Sequence, residues 1–152
     1  MSTTRFYTTR RQSIVNALVE VIKQIDGTGE FHTNLDLQVS PRLKFWDEIK
    51  QFPAVHLNAG SETRIYQGGG FKERYLTITV RCYVKDENDS VTKLDELLED
   101  VETMIEDNSY LIYFDKRGKQ QRAQQITVAQ IDTDEGVLGA LGVGEITIEV
   151  QY

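Results

Sequence analysis

The hydrophobic period changes once between Phe71 and Ile105, and that change constrains the fold more than any other feature of the chain. Leu76, Ile78, Val80, Cys82 and Val84 alternate with Tyr75, Thr77, Thr79, Arg81, Tyr83 and Lys85, the period-two pattern of a strand with one buried face. From Val91 onward, Leu94, Leu97, Leu98, Val101, Met104 and Ile105 recur every three or four positions among acidic and polar residues, the period of an amphipathic helix. The spacing therefore predicts a long strand and a long helix that meet through their apolar faces and form the centre of the core. Cys82 sits on the apolar strand face, where a thiol acts as a small hydrophobe. As the only cysteine, it leaves no internal disulfide to form.

The flanking segments extend this pattern. Thr8 or Thr9 can cap a first helix carrying Ile14, Ala17, Leu18, Val21, Ile22 and Ile25, with a stop at Asp26-Gly27. Thr28 to Val39 reads as an extended arm or short strand broken at Ser40-Pro41, and Leu43 to Phe52 as one or two helical turns. Pro53–Ala59 and Thr63–Gln67 are expected to be two strands separated by a turn at Gly60-Ser61-Glu62, with Gly68-Gly69-Gly70 reversing the chain into the long strand. His56, on the opposite strand face from Val55 and Leu57, is expected to be partly exposed. The second helix should be capped by Asn88, Asp89 or Ser90 and end near Asp107-Asn108. After the apolar run Tyr110–Phe114, the stretch Asp115–Arg122 around Gly118 has the look of a hairpin tip or mobile loop. Ile126 to Ile131 gives a strand, Gly136 to Gly144 a glycine-rich apolar loop, and Ile146, Ile148, Val150 and Tyr152 mark a last strand suited to pairing with the long one. The predicted fold is α+β in the order α-β-β-β-α-β-β. It is a mainly antiparallel sheet of about five strands with two long helices packed on one face. All 152 residues fit one domain, with 1–9 a flexible N-terminal arm.

The chemistry-bearing signals are weak. The triple glycine lacks the Lys-Ser/Thr ending of a phosphate-binding loop and opens a strand. His32, His56 and Cys82 stand in no metal-ligand spacing, and no nucleophile signature appears, so neither enzyme activity nor a cofactor is expected. The longest apolar runs are only a few residues and the start is polar, so no membrane span or secretory signal is predicted and the chain is expected to stay in the cytosol. Seventeen basic against 24 acidic residues give a net charge of −7, which argues against phosphate-backbone binding by the whole surface. Local basic clusters remain at Arg5, Arg10 and Arg11 and at Lys116, Arg117, Lys119 and Arg122. The acids of the second helix read as a solvated face. The apolar loop with Val137, Leu138 and Leu141 points to a protein interface.

The order of several short motifs resembles the tail terminator, or tail completion, family of long-tailed bacteriophages. They are Phe45-Trp46-Asp47-Glu48, then Phe52-Pro53-Ala54-Val55-His56-Leu57, then the strand Arg74–Val84 with its helix, and finally Asp134-Glu135-Gly136 through Gly142-Val143 before the strand ending at Tyr152. The resemblance covers most of the chain from Ile14. It implies a structural protein of the virion, assembled in the host cytoplasm, whose copies form a hexameric ring. Such a ring would cap the tail tube, stop its polymerisation and join the head-side connector, with DNA passing through the lumen without specific binding. Six copies carrying −7 each would sum to about −42, a charge suited to repelling DNA from an acidic lumen. On this reading Val137, Leu138, Leu141, Lys116, Arg117, Lys119 and Arg122 would dock the tube or connector, and Tyr75, Arg81, Tyr83 and Lys85 would contact neighbouring subunits. Two other readings stay open: another neck ring protein, of the head-completion or stopper kind, and a small nucleic-acid or ligand binding module.

Overall fold

The structure is a computed structural model and describes residues 8–152. Most of the predicted N-terminal arm, Arg5 included, lies outside the described residues. The first helix, α1 (Arg10–Ile22), begins where Thr9 Oγ1 accepts a hydrogen bond from the Gln12 amide at 3.2 Å. It is shorter than its apolar pattern predicts. After Ile22 the chain tightens into three-residue turns, with the Ile25 amide donating to the Ile22 carbonyl, yet Ile25 remains fully buried. The expected extended arm is mostly irregular. Asp36 and Leu37 both have positive φ, which breaks the alternation and turns Leu37 out to solvent. Only Val39–Ser40 forms a strand, β1, before a 3-10 turn at Trp46–Glu48.

β2 (Ala54–Tyr66) and β3 (Lys72–Lys85) pair antiparallel, and here the expectation of two strands divided by a turn is overturned. Gly60-Ser61 does not reverse the chain; the ladder continues across a register shift between Ala59 and Glu62. The one extra residue is absorbed as a bulge, which bends and twists a strand without ending it. After α2 (Ser90–Asp107), a short hairpin of β4 (Ile112–Phe114) and β5 (Gln120–Arg122) lies outside the main sheet. It is tied to α1 by the Phe114 amide donating to Ser13 Oγ. β6 (Gln125–Thr133) and β7 (Leu141–Gln151) complete a five-stranded sheet of order β1-β2-β3-β7-β6, antiparallel except for β1 beside β2. The last strand pairs along the long one from Tyr75↔Gln151 to Lys85↔Leu141, as its pattern predicts. The predicted loop at 136–144 is correspondingly shorter: Leu141 and Val143 belong to β7, and a run of turns from Glu135 to Ala140 makes the connection.

Both helices cover one face of this sheet. The alternating residues of β3, Leu76 to Cys82, are fully buried together with Ile146, Ile148 and Val150 of β7. Helix α2 lies close over β7 because Gly142 and Gly144 carry no side chain there. A Cβ on Gly144 would stand 3.0 Å from a Leu98 methyl, and one on Gly142 would meet Val84 at 2.7 Å. These glycines, read from sequence as part of an apolar loop, instead set the distance between helix and sheet. From the same helix the buried carboxylate of Asp100 accepts hydrogen bonds from the amides of His32 and Thr33, 2.7–3.1 Å long, and so fixes the irregular 28–38 segment against the core.

Candidate functional site

The face of the sheet turned away from the helices starts from residues that alternate with the core set. In β2 and β3 the cross-strand pairs Ala54↔Tyr83 and His56↔Arg81 point outward. Part of that face is covered: the chain at Lys44 crosses it, and Tyr83 Oη donates to the Lys44 carbonyl at 3.3 Å. Tyr83 is therefore only 2% exposed, and His56 only 5%, their rings 5.3 Å apart. His56 is not the partly exposed residue expected from its strand position, since a crossing segment cannot be read from β periodicity. Burial, and then the charges of Lys44 and Arg81, hold its imidazole pKa below the ordinary 6.5. Among the described residues its Nδ1 has no hydrogen-bond partner.

Beside this covered patch a cavity of about 400 Å³ opens between the Lys44–Phe45 segment and the β6–β7 turn. Arg81, Tyr83, Leu138 and Val143 line it, so residues predicted for two different contacts share one groove. Arg81 reaches across to Glu145 at 3.5 Å, and Phe45 and Leu138 present exposed apolar surface. The other predicted residues lie apart from it. Among the described residues Val137 is the most exposed large apolar side chain, at 82%, on the same turn; Leu141 is half-buried in β7 opposite Lys85. Tyr75 donates to Glu73 at 2.8 Å near the far end of β3, a bond to a carboxylate that raises its pKa.

The basic stretch predicted as a tip or loop is the turn of the β4–β5 hairpin. Asp115, buried, accepts from the amides of Arg117 and Lys119 at 2.9 and 3.0 Å, and these backbone bonds hold its carboxyl below the usual range. Arg117, Lys119 and Arg122 point to solvent. Lys116 instead joins Arg10 and Arg11 of α1 and two arginines that sequence reasoning missed, Arg64 and Arg74, in a cleft of about 340 Å³ with Tyr152. Arg64 and Arg74 are direct cross-strand partners. The signal was available: counting outward from the triple glycine pairs Tyr66 with Lys72 and hence Arg64 with Arg74. Arg74 stacks over the Tyr152 ring at 5.6 Å, and Tyr152 donates to Glu62, which also pairs with Arg64 at 2.7 Å. Burial first, and that carboxylate second, push the Tyr152 hydroxyl up to about 12.

The groove and the cleft thus lie on the surface of one α+β scaffold. The chain belongs to the bacteriophage tail tube terminator proteins: the family model matches residues 8–152. It is 32% identical over 149 residues to tail tube terminator protein p142 of Escherichia phage T5, covering 93% of this chain and 92% of that one. Its fold is also similar to a chain in the virion of a native gene transfer agent particle, with a TM-score of 0.56 at 8% identity and 92% of both chains covered.

Proposed function

We propose that the chain is the tail terminator of a phage virion, assembled in the host cytoplasm as a hexameric ring. The ring seats on the last ring of the tail tube, stops tube polymerisation and offers its other surface to the head-side connector, while DNA passes through the lumen. The observation that carries this reading is membership of the tube terminator family over nearly the whole chain, which favours it over another neck ring protein. It requires docking surfaces and no catalytic group. The apolar turn with Val137 and Leu138 supports a contact to tube or connector, because exposed apolar surface of this size on a rigid turn gains free energy when covered. The outer edge of β2 beyond His56, which β1 leaves open, supports contact between subunits.

Replacing Leu138 by Asp tests the docking surface. The variant should fold normally, since Leu138 is half exposed, and should fail to cap growing tubes, so that tubes exceed their usual length in electron micrographs. Capping at wild-type efficiency would remove the turn from the docking surface.

A further inference from the structure

Four separate segments contribute cations to one cleft: Arg10 and Arg11 from α1, Arg64 and Arg74 from opposite strands of the β2–β3 hairpin, and Lys116 from the β4–β5 turn. Among the described residues Arg64 alone of the five forms an ion pair, with Glu62. Like charges directly opposite in a ladder repel, and Arg64 faces Arg74 across the hairpin. Glu62 and the buried Asp115 are the carboxylates at hand, so the cleft keeps an excess of positive charge in a chain whose net charge is −7.

The counterpart lies on α2. Asp95, Glu99, Glu102 and Glu106 follow one another at four-, three- and four-residue steps along its outer side, and no lysine or arginine occurs between Leu94 and Asp115. Asp95, Glu99 and Glu106 are exposed and Glu102 is half-exposed. Like charges at these spacings destabilise a helix. The stripe and the cleft thus each carry an excess of charge, of opposite sign, and they are two different patches on one molecule. A closed ring is built from contacts of that heterologous kind, one patch of each subunit meeting a different patch of the next.

We infer that the Arg10–Arg11–Arg64–Arg74–Lys116 cleft receives the Asp95–Glu99–Glu102–Glu106 stripe of a neighbouring copy of this chain, and that this charge-matched contact closes the ring. The inference rests on the ring reading above and adds the two surfaces that meet. Opposite charges at such a contact select the neighbour's register as well as adding affinity.

The test uses three full-length variants, with circular dichroism to confirm folding and light scattering to measure mass. Arg74→Glu with Lys116→Glu, and Lys116→Glu alone at an exposed turn position, should weaken ring formation, the double variant by at least about tenfold at low salt. Adding Glu99→Lys, Glu102→Lys and Glu106→Lys to the double variant exchanges the two signs and should restore the ring. Rings that form equally well in all variants would overturn the inference while leaving the ring reading intact. Failure of the folded exchange variant to recover would overturn it as well. So would an intact ring in the cleft variants accompanied by loss of salt-sensitive DNA binding, which would assign the cleft to nucleic acid. A wild-type chain that never forms a ring, even with tube protein, would refute the ring reading itself.

Discussion

The two ends of the β2–β3 ladder share their strands and little else. From Ala54 to Leu57 opposite Val80 to Tyr83, every β2 residue is buried, with helices on one side and the Lys44 segment on the other. Residues 63–72 are all exposed, because β7 ends opposite Tyr75 and β1 covers only Val55 and His56 of β2. The outer end nonetheless keeps Ile65, Tyr66 and Phe71 in the open. One end of the ladder contributes the free energy that holds the fold. The other buries little apolar surface, and its Ile65, Tyr66 and Phe71 are left for a partner to cover.

That contrast can be broken in three ways, taken from the largest expected effect on stability to the smallest. Ile78→Ala in the buried end should cost about 2–5 kcal/mol, read as a lower urea midpoint with an unchanged slope; Ile78 is fully buried. The second concerns His56, whose folded pKa lies below 6.5. Under pH 6.5 the unfolded chain binds a proton that the folded chain resists, so this residue's contribution is full above the unfolded pKa and is lost as pH falls towards the folded one. His56→Gln should therefore flatten the decline in stability as pH falls below about 6.5, measured by denaturation at a series of pH values. The third sharpens the comparison from the other end. Ile65→Ser, Tyr66→Ser and Phe71→Ser together should change stability by about 0.5 kcal/mol or less per site, yet reduce assembly in a sedimentation assay. A large stability loss would show that the outer end is part of the core after all.

The buried end was also the more legible one. Alternation from Leu76 to Val84 and the helical period from Leu94 to Ile105 placed β3 and α2, because burial on one face writes itself into the period of the sequence. The β3–β7 pairing followed from the same logic, and side-chain chemistry narrowed the first helix's cap to Thr8 or Thr9, of which Thr9 serves. What was not legible depended on neighbours distant in sequence. Gly60 reads as a turn, but its strand neighbours hold the ladder through a bulge. Tyr83 and His56 read as an open polar face, but the Lys44 segment lies across them. Gly142 and Gly144 read as part of a loop, where the approach of Leu94 and Leu98 makes them a packing requirement within β7. The basic stretch was visible as composition, while the cleft formed by Lys116 with Arg10, Arg11, Arg64 and Arg74 exists only once four segments are brought together. Surfaces suited to assembly are assembled by the fold, and periodicity records burial within one element only.

The central claim is that this scaffold works as a closed ring on the tube end. The most direct test is the mass of the full chain in solution, measured by light scattering alone and with tube protein, alongside negative-stain images. A ring of six 17.4 kDa chains, about 104 kDa, with tubes capped at one end is the predicted result. A chain that stays at 17.4 kDa in the presence of tube protein would contradict it.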